Sequence, residues 1–234
     1  MAERRMPSSP RRRSNADVAA VIFDLDNCLA AADEAGEALF APAFDAIRAA
    51  NRGHLTEAKL SAAFADMWRH ALDHVARQHR FTDGMLRAGW DAFRTLEVRQ
   101  PLHGYGDLPE LARLPAARFL VTTGFRRLQE SKVAALGIAP LFVEVQIDAI
   151  DEAPRRVKQE RFADIASRHG WQPAQVLVVG DNGESEIAAG NALGMPTVQT
   201  LRPGVPPAVN AQWRIRNLAE LSKLIPKIHS TPSQ

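Results

Sequence analysis

The hydrophobic residues in the second half of this chain fall into short runs, separated by segments with helical periodicity. Short runs rich in Val, Ile and Leu are typical of strands buried on both faces of a sheet. A glycine just past each helical segment is a common signal for a helix end. The predicted strands are 19–23, 118–122, 142–147, 176–179 and 197–201, and the predicted helices are 128–136, 160–169 and 184–193. This alternation predicts right-handed βαβ units and an α/β fold with a doubly wound parallel sheet.

Residues 33–100 have a different pattern, in which no strand-like run occurs. Residues 34–50 are rich in alanine and helical in pattern, although Pro42 is expected to break or restart that helix. Thr56 is a candidate N-cap for a longer second helix. The apolar stripe of that second helix consists of Leu60, Phe64, Trp68, Ala71, Leu72 and Val75. With a further helix around Trp90 and Phe93, the segment predicts an all-helical insert in a core formed by residues 17–32 and 101–234.

The composition is that of a globular protein, with 46% hydrophobic and 24% charged residues. No apolar run approaches the roughly 20 residues that span a bilayer, so no membrane partner is expected. Residues 1–16 hold five arginines, while the formal net charge of the chain is only +2. We expect this leader to be disordered, with weak nucleic-acid contact as the alternative, and expect no specific nucleic-acid site. It lacks the apolar segment of a secretory signal.

Cys28 is the only cysteine, which excludes an internal disulfide and suits a reducing compartment. The sequence therefore favours a cytoplasmic protein. We expect the thiol to be buried, with a reactive cysteine as the alternative.

Polar side chains stand where three of the predicted strands end. Asp24 and Asp26 follow the first strand, Thr122 and Thr123 end the second, and Asp181 ends the fourth. Ligands bind beyond the carboxyl ends of strands in open α/β sheets, so we expect these residues at one site. Taken alone, the first two carboxylates could equally be turn or helix-cap residues.

Carboxylates gathered at one sheet edge need positive charge to offset their repulsion. Lys158 and Glu186 lie in the adjacent loops and helix starts, and no His or Cys lies in these segments. Oxygen ligands alone suit Mg²⁺. The positive charge of the metal and the lysine together would favour binding of a phosphate dianion. Free backbone N–H groups at Gly124, where a helix begins, would also suit an anion. For Thr123 a simple helix cap is the alternative.

Four segments together resemble the haloacid dehalogenase superfamily, chiefly its phosphatase branch. They are Phe23-Asp24-Leu25-Asp26, Leu120-Val121-Thr122-Thr123-Gly124, Lys158, and Gly180-Asp181 with the later acid Glu186. They stand in the order of that family's motifs, and the resemblance covers residues 18–202. The helical insert lies where family members of the helical-cap type carry a lid.

The resemblance implies a role for each of these residues. Asp24 would be the nucleophile that forms an aspartyl-phosphate. Asp26 would protonate the leaving oxygen and then activate water, so we expect neighbouring acids to favour its protonated form. Thr122 would bind the phosphoryl oxygens, flanked by Thr123 and Gly124 as substrate-binding residues.

The resemblance also implies the charge-neutralising groups. Lys158 would neutralise nucleophile and phosphate and so bind substrate. Mg²⁺ would be held by Asp24, by the backbone carbonyl of Asp26, by Asp181 and by Glu186.

Three departures from the family pattern leave alternatives open. Asn27-Cys28 replaces the frequent Gly-Thr, as in members that resemble pyrimidine nucleotidases. Glu186 stands where Asp is usual, and Glu184 competes with it for the metal. Two arginines near Lys158 are rivals for its role, Arg155 and Arg156.

The predicted function is a Mg²⁺-dependent phosphohydrolase acting on a small phosphomonoester: a nucleoside monophosphate, a sugar phosphate or a phosphoglycolate-like compound. The alternatives are a phosphomutase, a 2-haloacid dehalogenase and a non-catalytic binding protein on the same fold. Asp26 argues against the dehalogenase, which needs neither a proton donor nor Mg²⁺. We expect a monomer or homodimer with a small phosphorylated metabolite as its partner.

Other residues have both a structural and a functional interpretation. His70 and His74 could bind zinc, but a solvated helix face is favoured because no third ligand is evident. For the aromatic residues Trp68, Trp90 and Phe93, core packing is favoured over a substrate pocket. For Arg126 and Arg127, the sequence favours neither a contact with substrate nor a position exposed at the surface.

Overall fold

The computed structural model describes residues 17–228, so the predicted basic leader lies outside the described residues. The strands are β1 (Ala20–Phe23), β2 (Ala117–Gly124), β3 (Glu144–Ala149), β4 (Val176–Gly180), β5 (Thr197–Thr200) and β6 (Trp213–Ile215). The helices are α1 (Glu37–Asn51), α2 (Glu57–Asp66), α3 (Leu72–Gln78), α4 (Asp83–Phe93), α5 (Arg126–Leu136), α6 (Lys158–Arg168), α7 (Glu186–Ala192) and α8 (Leu218–Leu224). The predicted alternation of strands and helices after residue 117 is confirmed.

The strands form one parallel sheet in the order β3-β2-β1-β4-β5-β6. β1 lies between β2 and β4, and its Phe23 pairs in register with Leu120 and Val179. All four residues of β1 are buried, which explains its continuous apolar sequence. The carboxyl ends of β1, β2 and β4 therefore meet at one edge of the sheet.

Helices cover both faces of this sheet. Successive strand residues point to opposite sides, and both sets are apolar here, so each face is buried under helices. One face packs against α5 and α8 and contains Val21, Phe23, Leu120, Val179, Val133, Leu218 and Leu221. The other packs against α6 and α7 and contains Ala20, Ile22, Val121, Val178, Phe162, Ile165 and Ala189. The doubly wound α/β architecture is thus confirmed.

Helices α1–α4 lie between β1 and β2 in the chain and share a hydrophobic cluster, which also includes Phe125, Leu128 and Ile150 of the core. The expectation that Pro42 would break the first helix is wrong, since it lies inside α1. Apolar residues on both sides of it, Phe40, Ala43 and Ile47, are buried. Their burial outweighs the one backbone hydrogen bond that proline removes.

The predicted long second helix is two helices. Thr56 does cap α2, accepting a hydrogen bond from the Lys59 backbone amide at 3.4 Å. That helix ends at Asp66, however, and α3 begins only at Leu72. The apolar stripe continues through a turn that keeps Trp68 packed against the same cluster.

The last two elements have no counterpart in the sequence prediction. β6 has three residues and lies at the sheet edge, and α8 is capped by Asn217, whose side chain accepts from the Glu220 amide. Within residues 17–228, no helix combines the length and apolar character needed to cross a membrane.

Candidate active site

Three buried carboxylates meet beyond the carboxyl ends of β1 and β4. Asp24 follows β1, Asp181 follows β4, and Glu186 is the first residue of α7. Each offers an oxygen atom, and these atoms lie within 4.8 Å of one another. The parallel pairing of β1 with β4 brings the first two together, and the Asp24 amide donates to Val179 O at 2.9 Å.

Glu186 reaches the cluster because Gly180 leaves room for it. A Cβ atom on Gly180 would lie 2.3 Å from the carboxyl of Glu186. The Asn182 amide holds that carboxyl, donating to Oε1 at 2.6 Å. Glu184, the competing acid, is exposed and outside the cluster. A side chain at residue 180 would therefore displace Glu186.

Lys158, the first residue of α6, is the cation of the cluster. Its Nζ donates to Asp24 Oδ1 at 2.8 Å and to Glu186 Oε2 at 2.9 Å. The side chain is 6% exposed. Of its rivals, Arg155 pairs with other acids and Arg156 lies 3.6 Å from Asp164, so neither contacts the cluster.

Burial decides the direction of the pKa shift for the two aspartates, whereas neighbouring carboxylates decide it for Lys158. Burial raises the pKa of Asp24 to about 7, although Lys158 acts to lower it. Burial, reinforced by Glu186 and Asp24, raises the pKa of Asp181 to about 9. For Lys158, burial acts to lower the pKa, but the two carboxylates it contacts raise it above its ordinary value.

When all three carboxylates are ionised, the protein groups around them do not balance their negative charge. Three carboxylates share one ammonium group, and no cation within residues 17–228 lies within 4.0 Å of the Asp181 carboxylate. Buried charges need a partner. An oxygen-only donor set of this kind fits Mg²⁺.

Asp26 lies outside this cluster of three. Its Oδ1 accepts from Lys132 Nζ at 2.7 Å, and its Oδ2 accepts from Gln129 Nε2 at 3.0 Å. Its nearest charged partner is therefore a lysine, whereas the sequence led us to expect acids. The sequence analysis did not identify Gln129 and Lys132 as site residues. The one sequence signal for them was two polar residues, three apart, on the buried side of α5.

The end of β2 supplies hydroxyl groups with different surroundings. Thr122 is buried, and its Oγ1 accepts from Gln129 Nε2 at 2.6 Å. Thr123 instead donates to Asp148 Oδ2 at 3.0 Å. It does not cap α5, whose N-cap residue, Phe125, makes no side-chain cap bond. This hydrogen bond of Thr123 therefore links the ends of β2 and β3.

A cavity of about 710 Å³ lies over these groups, between the core and the helices α1–α4. Lining residues from the helical side include Phe40, Trp68, His70, His74 and Phe93. Trp68 and Phe93 also pack in the helical cluster, so both interpretations of them hold. The two histidine rings stack with centroids 4.6 Å apart, and no third metal-binding residue joins them among residues 17–228.

The remaining candidates are engaged elsewhere. Trp90 packs edge to face on Phe125 with centroids 5.1 Å apart. Cys28 is fully buried, as expected, and burial raises the pKa of its thiol. Arg126 pairs with acids at the surface, Glu152 and Glu130, and Arg127 pairs with Glu97.

A family model described as haloacid dehalogenase-like hydrolase matches residues 18–194. The pyrimidine 5′-nucleotidase YjjG of Escherichia coli is 27% identical over 135 residues. That match covers 56% of this chain and 59% of the relative, so the chain spans less than two thirds of the relative's length.

Solved structures share the fold at low identity. The HAD-hydrolase YfnB of Bacillus subtilis, bound to magnesium, has TM-score 0.60 and 18% identity, covering 89% of this chain and 99% of that one. A HAD phosphatase of Thermococcus onnurineus has TM-score 0.57 and 22% identity, with coverage of 88% and 97%. L-2-haloacid dehalogenase of Xanthobacter autotrophicus has TM-score 0.54 and 18% identity, with coverage of 89% and 98%.

Proposed function

This chain belongs to the haloacid dehalogenase-like hydrolases, and we propose that within this family it is a Mg²⁺-dependent phosphatase of small phosphomonoesters. One observation carries the proposal: the buried carboxylates of Asp24, Asp181 and Glu186 meet within 4.8 Å, and Lys158 is the one cation among residues 17–228 that contacts them. A divalent cation would complete the charge balance, and the resulting site would attract a phosphate dianion.

The metal would be held by Asp24, Asp181 and Glu186, with the backbone carbonyl of Asp26 as a further ligand. When bound, Mg²⁺ would shield the negative charge that separates a carboxylate nucleophile from a phosphate group. The fold of YfnB, solved with magnesium, supports the choice of metal.

In the first step, an Asp24 carboxylate oxygen attacks the phosphorus atom, and the bond between phosphorus and the leaving oxygen breaks. Asp26 gives its proton to that leaving oxygen, so the alcohol departs neutral. Lys158 and the Thr122 hydroxyl stabilise the transferring phosphoryl oxygens. The products are an alcohol and the phosphorylated side chain of Asp24.

In the second step, water attacks the phosphorus atom of the aspartyl-phosphate. Asp26, now ionised, takes a proton from that water. The bond between phosphorus and the Asp24 oxygen breaks, which restores the carboxylate and releases inorganic phosphate.

Helices α1–α4 would act as a lid that limits water and selects the leaving group. Residues 33–100 form this cap in the proposal, and residues 17–32 and 101–234 the catalytic core. The cavity of about 710 Å³ suits a nucleoside monophosphate, a sugar phosphate or a phosphoglycolate-like compound. Similarity to a pyrimidine 5′-nucleotidase favours nucleoside monophosphates as the first class to assay.

A 2-haloacid dehalogenase is the second candidate, because solved dehalogenases share this fold. Halide leaves as an anion, so that reaction makes no use of a proton donor at Asp26. The carboxylate cluster also has no function there as a metal site. A phosphomutase would keep the same core and return the phosphoryl group to a second hydroxyl, which a product assay separates from hydrolysis.

Hydrolysis of p-nitrophenyl phosphate tests the proposal. We expect turnover with Mg²⁺, none with EDTA, and a loss of at least about a thousandfold in Asp24→Asn because the nucleophile is gone. Circular dichroism of the variant serves as the control for folding. Turnover that persists in EDTA or in folded Asp24→Asn would contradict the proposal, and release of halide from 2-chloropropionate would favour the dehalogenase.

A further inference from the structure

Gln129 connects the two halves of the site, although no motif contains it. Its side chain is buried on α5, and its Nε2 lies 3.0 Å from Asp26 Oδ2 and 2.6 Å from Thr122 Oγ1. The same nitrogen is 3.2 Å from the backbone oxygen of Thr123. One amide group thus contacts the candidate proton donor and the candidate phosphoryl-binding hydroxyl.

The chemistry of these partners determines which end of the Gln129 amide faces them. A backbone carbonyl only accepts hydrogen bonds, so the contact with the Thr123 oxygen requires the amide NH₂ to face these partners. Thr122 also accepts from this nitrogen, so two amide hydrogens serve three acceptors and one hydrogen is shared. Its own hydroxyl hydrogen is left to point elsewhere, and the cavity that Thr122 lines is where an anion would accept it.

Two neighbours reinforce this arrangement. A Cβ atom on Gly124 would lie 2.9 Å from Cγ and 3.1 Å from Cδ of Gln129, so glycine there leaves room for the amide. Lys132, one turn later on α5, holds the other oxygen of Asp26 at 2.7 Å. With a donor on each oxygen, the Asp26 carboxylate has one orientation.

We propose that Gln129 is a positioning residue for phosphoryl transfer: its amide orients Asp26 toward the leaving oxygen and leaves the Thr122 hydroxyl free to donate to the phosphoryl group. This inference rests on the proposed phosphatase function. No atom of Gln129 forms or breaks a bond in the reaction itself.

The test compares two aryl phosphates that differ little in shape. Phenolate is a more basic leaving group than p-nitrophenolate, so phenyl phosphate depends more on protonation by Asp26. A misplaced donor should therefore affect phenyl phosphate more. We expect Gln129→Met to lower kcat/KM, which reports the first step, about a hundredfold for phenyl phosphate and about tenfold for p-nitrophenyl phosphate.

Gln146→Met is the matched control, because Gln146 is also buried and hydrogen-bonded but lies outside the cavity. It should leave the ratio of the two kcat/KM values unchanged. If Gln129→Met does not fold, Gln129→Glu keeps the size but loses both donors and should shift the ratio in the same direction.

An unchanged ratio in the folded Gln129 variants, with wild-type turnover intact, would overturn the positioning role alone. Absence of Mg²⁺-dependent turnover in the wild type would overturn the proposed function and this inference with it.

Discussion

At the scale of single residues, the environment of Lys158 determines the character of the site. Its ammonium group contacts two carboxylates, Asp24 and Glu186, in a buried position. Removing one partner from a buried ion pair leaves uncompensated charge, which costs far more than an exposed pair contributes. The stability of the metal-free protein should therefore depend strongly on this lysine.

We expect Lys158→Met to lower the free energy of unfolding by about 3 kcal/mol in EDTA, because the carboxylates lose their contacting cation. Urea denaturation gives the value. Arg156→Met, a change at an exposed arginine beside Asp164, should alter it by less than about 1 kcal/mol and serves as the control. Equal effects of the two substitutions would contradict this view of the cluster.

The residues of the candidate site differ in how far the sequence could reveal them. Asp24, Asp181 and Lys158 lie in short motifs at strand or helix ends, so local pattern and fold rules were enough to predict that they would meet. Gln129 and Lys132 contact Asp26 across 103 and 106 residues of sequence. No local sequence pattern predicts which acid a side chain on a helix will contact, so the sequence analysis did not identify Gln129 or Lys132.

At the scale of elements, one arginine joins the helical segment to the core across the cavity. Arg155 precedes α6 and donates from Nη1 to Asp73 Oδ2 on α3 at 2.7 Å. Its Nε donates to Asp148 Oδ1 on β3, also at 2.7 Å. Arg155 therefore links a helix of the proposed lid to a strand of the sheet.

Loss of this link should weaken closure and leave the fold intact. We expect Asp73→Asn to raise KM for p-nitrophenyl phosphate about threefold to fivefold, since a partly buried ion pair contributes about 1 kcal/mol. The unfolding free energy should change by no more than that amount. Asp45→Asn removes a surface ion pair with Arg48 on α1 and is the matched control. An unchanged KM in Asp73→Asn would show that this ion pair does not influence closure.

The elements that the sequence predicted well have strong local signals. Gly137 ends α5 in a left-handed conformation with φ 63°, as its position after a helical pattern indicated. Pro42 inside α1 and the division between α2 and α3 depend on packing among four helices, which local propensity does not describe. β6 is three residues long, too short for a pattern of alternation.

At the scale of the whole molecule, the strand order creates the site. β1 lies in the middle of the sheet, between β2 and β4, so side chains from three distant parts of the sequence meet at one edge. The segment inserted after β1 then covers this edge, and residues of α1, α3, α4 and the turn 67–71 form the cavity with it. The sequence pattern predicts both a parallel sheet and an insert after its first strand, which is why the architecture was predictable.

The central claim is that a phosphoryl group passes through Asp24, and it is tested most directly by trapping that group. In Asp26→Asn, p-nitrophenyl phosphate should still phosphorylate the enzyme, because its leaving group departs without a proton. Hydrolysis of the intermediate should be slowed about 10²- to 10⁴-fold without the base. Acid-quenched Asp26→Asn should therefore carry one phosphoryl group on the peptide that contains Asp24, as read by mass spectrometry. A quenched enzyme with no phosphoryl group there, while p-nitrophenolate release by the wild type continues, would contradict the account.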